Sequence, residues 1–110
     1  MSEIAALLRL LVQADKEYKI TAVQISSHDT PYLFSSNLTS GYLRKGIAVY
    51  NNSNTNSGEA AWGGVNVTPA NGMPIPKGAI VAIPVSSALD VYFVNTVSGE
   101  LSDLRVIEIA

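Results

Sequence analysis

Short runs of β-branched and aromatic residues, separated by turn-forming residues, fill the chain from Ile20 onward and constrain its fold more than any other feature. Their alternating apolar and polar positions, and turns roughly every 8–12 residues, are typical of antiparallel sandwiches and small barrels. The pattern contains no strand–helix–strand rhythm, which argues against a parallel sheet. The sequence therefore predicts a mainly β domain, an antiparallel β-sandwich or a jelly-roll-like barrel of about seven or eight short strands.

Recognisable turn residues separate the predicted strands. Asn71-Gly72 forms a turn because both residues tolerate positive φ, and Pro74 and Pro76 hold Ile75 in an extended segment that cannot lie inside a sheet. Strands are predicted at residues 20–25, 32–34 (a short edge strand), 46–50, 59–62, 65–68, 79–85, 90–95 and 103–109. The side chains predicted to form the core are Trp62, Ile47, Val49, Val81, Ile83, Phe93 and Val106.

Residues 2–17 form the one segment with a helical pattern. Ser2 is a suitable N-cap, and Glu3 lies in the first turn, where a negative charge is favourable. Five apolar residues follow helical spacing and Leu10 widens their face, so the predicted subunit interface consists of Ile4, Leu7, Leu8, Leu10, Leu11 and Val12. We expect a helical arm over residues 1–19 and a β-sandwich over residues 20–110. The arm packs either on its own domain or against a copy or neighbouring subunit.

The charge content limits the classes of partner. Charged residues make up 15% of the chain, against roughly 25% in an average globular protein, which leaves a neutral surface suited to packing against other subunits. The net charge of −2 and the scattered Lys and Arg residues argue against nucleic acid. No stretch approaches the roughly 20 apolar residues of a membrane span. The chain has no cysteine, which excludes disulfides and thiolate sites and fits synthesis in a cytosol.

The pattern of reactive residues predicts no enzyme, cofactor or metal site. His28 is the only histidine, and the chain lacks both the G-x-S-x-G nucleophile motif and the glycine-rich phosphate-binding motifs. Four acidic residues cluster late in the chain, but so short a chain has little material for a catalytic cleft. They are Asp90, Glu100, Asp103 and Glu108, of which Asp90 and Asp103 are interpreted as turn residues that flank strands.

Aromatic residues suggest a second kind of candidate surface. Tyr42, Tyr50 and Trp62 could form a platform for a glycan or a protein partner, since aromatic side chains are enriched in such sites. The alternative is that they are ordinary filling of a β-sandwich. An exposed Trp62 in a groove would favour the platform, and a buried Trp62 would weaken it.

The order of elements from residue 42 to the end resembles a known group of proteins. A strand and polar loop at residues 44–53 precede a strand ending in Trp62-Gly63-Gly64, and then come a turn, the P-x-P-x-G stretch at residues 74–78 and an aromatic strand at residues 90–94. This order resembles the small β-sandwich accessory proteins of tailed bacteriophages, which include capsid decoration (cement) proteins and other head or tail components. The resemblance covers about the last two-thirds of the chain and rests on pattern and order.

The resemblance implies a structural virion protein, most simply a decoration protein that stabilises the phage head by binding between capsid subunits. Its partners would be the major capsid protein or other virion subunits, and it would form a homo-oligomer, with a trimer favoured. It would be made in the host cytoplasm and reside in the virion. The alternatives are a receptor- or glycan-binding β-sandwich of a fibre or tail, and a head–tail joining protein.

Overall fold

The structure, a computed structural model, describes residue 5 and residues 16–53, 59–83, 85–86 and 88–110. The described residues contain β-strands joined by turns and loops. In chain order the strands are β1 (Tyr18–Ile25), β2 (Tyr32–Leu33), β3 (Gly46–Asn51), β4 (Ala60–Gly63), β5 (Met73–Ile75), β6 (Ile80–Ile83), β7 (Tyr92–Asn95) and β8 (Ser102–Ile109).

The strands form two antiparallel sheets of four strands each. The first sheet has the order β1-β8-β3-β6 and the second has the order β2-β7-β4-β5. Several neighbouring strands are far apart in sequence: β1 pairs with β8 along its whole length, and β2 pairs with β7. The chain is mainly β, as predicted.

An apolar core draws its side chains from both sheets. Alternate residues of a strand point to opposite faces, and one face of each sheet contributes to this cluster. Its buried members are Val23, Ile25, Phe34, Ile47, Val49, Ala60, Ile75, Ile83, Val91, Phe93, Leu104 and Val106. Five of the seven predicted core residues are buried, whereas Trp62 and Val81 are half-buried and pack against the cluster.

Two segments predicted to avoid a sheet interior form strands at sheet edges. Tyr32–Leu33 pairs only with β7, and Met73–Ile75, which contains Pro74, pairs only with β4. Proline is tolerated at an edge because its missing N–H interrupts no ladder there.

The predicted strand at residues 65–68 is wrong, because these residues form turns. The amide of Thr68 donates to the Asn71 side chain at 2.7 Å, and the amide of Gly72 donates to the Thr68 carbonyl at 3.0 Å. Val67 is thereby folded onto Ala61 and Val94, on the outer face of the second sheet. The alternation of residue types in the sequence does not indicate that the Asn71 side chain accepts a hydrogen bond from this backbone.

The predicted helix over residues 2–17, and all six of its predicted interface residues, lie outside the described residues except for Ala5, Lys16 and Glu17. Lys16 and Glu17 are not helical; their amides both donate to the carbonyl of Ala110, at 2.9 and 3.3 Å. β1 begins directly after them at Tyr18, before the predicted strand start at Ile20.

Replacing Gly72 with alanine is expected to lower the free energy of unfolding by about 1–3 kcal/mol, the usual cost of overpacking. An added Cβ would lie 2.6 Å from the Ala61 Cβ and 2.9 Å from the Val67 Cγ2, and the Ala61 methyl has no rotamer by which to move away. Gly64→Ala is the control, because its added Cβ meets no atom within 4 Å. Urea unfolding of both variants is the measurement, and equal losses would contradict the packing argument.

Candidate functional site

The first sheet has a second apolar face, directed away from the core. Strand alternation places Ile20, Ile107, Ala48 and Ala82 side by side across all four strands, because these residues are register partners. The neighbouring rows contain Tyr18 and Ile109 on one side, and Ala22, Arg105, Tyr50 and Ile80 on the other. We call these ten residues the outer face.

The outer face is only partly buried. Ile109 and Ala48 are buried, but Tyr18 is 60% exposed, Ile20 63% and Tyr50 39%. A shallow depression of about 170 Å³ lies on this face and is lined by Ile20, Ala48, Val49, Tyr50, Ile80, Arg105 and Ile107. An antiparallel sheet normally presents polar side chains on the face that is not part of the core. The outer face departs from that rule.

The second sheet offers a direct comparison. Its outward-facing Ala61 and Val94 are buried beneath Val67, which belongs to the turn that follows β4. The chain therefore covers the outer face of one sheet with its own loop. No described residue does the same for Tyr18 and Ile20 of the first sheet, which remain mostly exposed.

A short-range ion pair borders the outer face. Arg105 Nη1 lies 2.6 Å from Asp103 Oδ1, and Asn52 donates to the other carboxylate oxygen at 3.2 Å. The hydrogen bond from Arg105 holds the pKa of Asp103 below its usual value. The guanidinium charge at the edge of the face is thus largely balanced by a neighbour on the same strand.

The base of the N-terminal segment is fixed at the end of the first sheet. Glu17 accepts hydrogen bonds from the Thr39 amide and, at 2.8 Å, from the Thr39 hydroxyl. The bond from the Thr39 amide is the main reason why the pKa of Glu17 lies below its ordinary value. The Lys16 ammonium lies 5.9 Å from the centre of the Tyr42 ring, within the range of a cation–π contact. Residues 1–15 therefore join the domain beside the row that contains Tyr18 and Ile109.

A buried ion pair holds the loops at this end. Arg44 Nη1 lies 3.7 Å from Glu108 Oε2, with side-chain exposures of 6% and 0%. Arg44 also donates to the carbonyls of Ser86 and Leu89, and Glu108 accepts the amide of Asn37 at 2.9 Å. These contacts join β8, the β2–β3 connection and the β6–β7 connection.

The predicted aromatic platform is not assembled on one surface. Tyr50 lines the depression on the outer face of the first sheet, whereas Trp62 lies in the second sheet and packs against the core. Tyr42 belongs to the β2–β3 connection and contacts Lys16. Trp62 is half-buried and packs against the core, which places it between the exposed and the buried case that the sequence analysis distinguished.

The described residues hold no concentrated set of reactive groups. His28 Nδ1 lies 3.0 Å from the Asn95 carbonyl, and no group of three or more His, Asp and Glu side chains in the described part of the chain could hold a metal ion. An open recess of about 470 Å³ beside the turn after β4 is lined by Gly63, Gly64, Val65, Asn66, Val67 and Asn71. Among the residues described, no helix is long and apolar enough to cross a membrane.

Sequence reasoning missed the outer face, although a signal for it was present. The segments Ile47-Ala48-Val49-Tyr50 and Ile80-Val81-Ala82-Ile83 are apolar at both odd and even positions. Continuous apolar strands are typical of sheets covered on both faces.

A comparison of the chain with protein-family models and with curated proteins finds no match.

Proposed function

We propose that this protein is a structural subunit of a virus particle, most simply a capsid decoration protein that binds between capsid subunits and stabilises the head. The outer face of the first sheet is the observation that carries the proposal. Tyr18 and Ile20 on this face are both about 60% exposed. Covering apolar surface with another subunit stabilises the assembly by roughly 25 cal/mol for each Å² buried. Such a surface is suited to permanent assembly.

The strand order supports the same class of protein. β1 pairs with β8, β2 with β7, β3 with β6 and β4 with β5, in two four-stranded sheets around one core. We infer a jelly-roll β-sandwich from this order, an architecture used by viral capsid domains and also by lectins. The fold alone does not select between those two uses.

Two further observations favour the structural role over glycan binding. The low charge content leaves neutral surfaces for subunit contacts, and Tyr50 and Trp62 lie on different sheets instead of forming one aromatic platform. A receptor- or glycan-binding module of a fibre or tail, or a head–tail joining protein, is the alternative function. We assign no reaction and no cofactor to the chain.

The test is co-sedimentation of the purified chain with particles of the virus whose genome encodes it. We expect saturable binding at a fixed ratio to the major capsid protein, and a higher temperature of shell disruption, because a ligand that binds only the assembled shell stabilises it by mass action. Unassembled capsid protein is the control and should bind poorly. A chain that stays in the supernatant, and that is absent from the mass spectrum of purified particles, would show that the proposal is wrong.

A further inference from the structure

We propose that the outer face of the first sheet is the docking surface for the N-terminal segment, residues 1–15, of a second copy of this chain. This inference rests on the proposed assembly role and names the contact between copies. The segment of one copy would lie on the outer face of the next, so that the copies are joined in a ring or another closed arrangement.

The outer face is suited to an apolar occupant. Nine of its ten residues are Tyr, Ile or Ala, and the remaining one, Arg105, is already paired with Asp103 at 2.6 Å. An occupant therefore need not supply a counter-charge. The depression around Ala48 offers space for side chains between Ile20, Ile107 and Tyr50.

The N-terminal segment has the matching composition and size. Six of its apolar residues share the predicted helical face described above, from Ile4 to Val12. A helix over residues 2–12 would be about 16 Å long, and the four strands of the face span roughly 14 Å. The apolar part of the predicted helix, residues 2–12, thus has about the dimensions of the outer face.

The exposure of the face favours an occupant from a second copy. Tyr18 and Ile20 are 60% and 63% exposed in the single chain, so a segment of another molecule can cover them without displacing any described residue. The segment leaves the domain at Lys16 and Glu17, which bind Ala110, Thr39 and Tyr42 at the end of the sheet. In the proposed arrangement, the segment of a neighbouring copy starts from the same anchored residues of its own sheet.

Cysteine cross-linking tests the contact cleanly, because the natural chain has no cysteine. Ile20→Cys is co-expressed in full-length chains with a differently tagged Leu7→Cys, Leu8→Cys or Leu11→Cys variant, and the purified protein is oxidised. A disulfide forms only where two Cα atoms approach within about 7 Å. We expect a mixed-tag disulfide dimer from at least one of the three pairs.

Gln24→Cys replaces Ile20→Cys as the matched control. Gln24 is exposed on the same strand and points to the same side, but its register partner is the polar Asp103. Mixed dimers with Ile20→Cys at no more than the Gln24→Cys level would overturn the proposal. So would an intrachain disulfide in the chain that carries both Leu8→Cys and Ile20→Cys, because it would show that the segment folds back on its own sheet.

A second measurement does not depend on disulfide geometry. Ile20→Lys is expected to reduce the mass measured by light scattering to that of one chain, while Gln24→Lys leaves the oligomer unchanged, with circular dichroism confirming that both are folded. An unchanged mass for Ile20→Lys, or a wild-type chain that is itself monomeric, would overturn the contact. If the chain binds shells but its copies form no cross-links, the contact between copies is wrong and the proposed function stands. If the copies form cross-links but the chain does not bind shells, the contact stands and the proposed function is wrong.

Discussion

Replacing Arg44 with methionine is expected to lower the free energy of unfolding by about 3–5 kcal/mol, as is usual when one partner of a buried ion pair is removed. Glu108 is 0% exposed, and among the described residues its Oε2 atom accepts no hydrogen bond. Without Arg44, the carboxylate would keep the hydrogen bond from the amide of Asn37 but lose its neighbouring cation. The carbonyls of Ser86 and Leu89 would lose their donor at the same time.

Two further variants separate the cost of the buried charge from the cost of losing a side chain. Arg105→Met removes an arginine that faces a carboxylate in a more exposed pair, at 38% and 22% exposure, so its loss should cost at most about 1 kcal/mol. The double variant Arg44→Met with Glu108→Met should recover much of the stability, since replacing both partners with apolar groups is often close to neutral. Urea unfolding provides all three values. Equal losses for the two single variants would contradict the role assigned to the buried pair.

Replacing Asn95 with alanine is expected to cost about 2–4 kcal/mol, because buried polar groups that lose their partners each cost about 1–3 kcal/mol. Asn95 is fully buried at the end of β7. Its amide nitrogen donates to the carbonyls of Ile25 and Glu100 and contacts the Ser102 hydroxyl, at 3.3, 2.6 and 3.1 Å. Its oxygen accepts the amide of Val97 at 2.7 Å. One side chain thus connects the second sheet to β1 and shapes the β7–β8 connection.

The control for Asn95 is Asn71→Ala. Asn71 also accepts a backbone amide at 2.7 Å, but it is exposed and water can replace it, so a loss of at most about 1 kcal/mol is expected. The measurement is urea unfolding combined with hydrogen exchange at the Val97 amide, which should exchange faster in Asn95→Ala. If Asn95→Ala is no less stable than Asn71→Ala, the buried network contributes little to the fold.

Asn51 makes the same kinds of hydrogen bond as Asn95 at this end of the domain. Asn51 is likewise fully buried at the end of β3 and donates to the Ile75 carbonyl of the second sheet at 2.9 Å. It accepts the amide of Ser53, two residues later, as Asn95 accepts that of Val97. In the sequence, Asn95 ends the strand predicted at residues 90–95, and Asn51 follows the strand predicted at residues 46–50. Their inter-sheet bonds depend on how the two sheets are placed, which local sequence does not specify.

Glu108, at the opposite end of the domain, is another residue whose burial the local sequence does not specify. In the sequence it stands in an apolar strand and is one of four acidic residues that cluster late in the chain. Its burial follows from strand parity, since Leu104, Val106 and Glu108 share the inward face of β8. Its partner Arg44 lies 64 residues earlier (108 − 44) in the connection before β3. No local pattern links two residues so far apart.

By itself the sequence determined the mainly β character of the chain, the positions of most strands, the edge position of the proline-containing strand and most of the core. These features follow from local physics: side-chain alternation, turn chemistry and the missing N–H of proline act over a few residues. The tertiary structure alone decided the pairing of β1 with β8, the burial of Glu108 and Asn95, and the covering of one outer face by Val67 while Tyr18 and Ile20 stay exposed on the other. Each of these depends on contacts between distant segments, whose free energy is gained only once both sheets are in place.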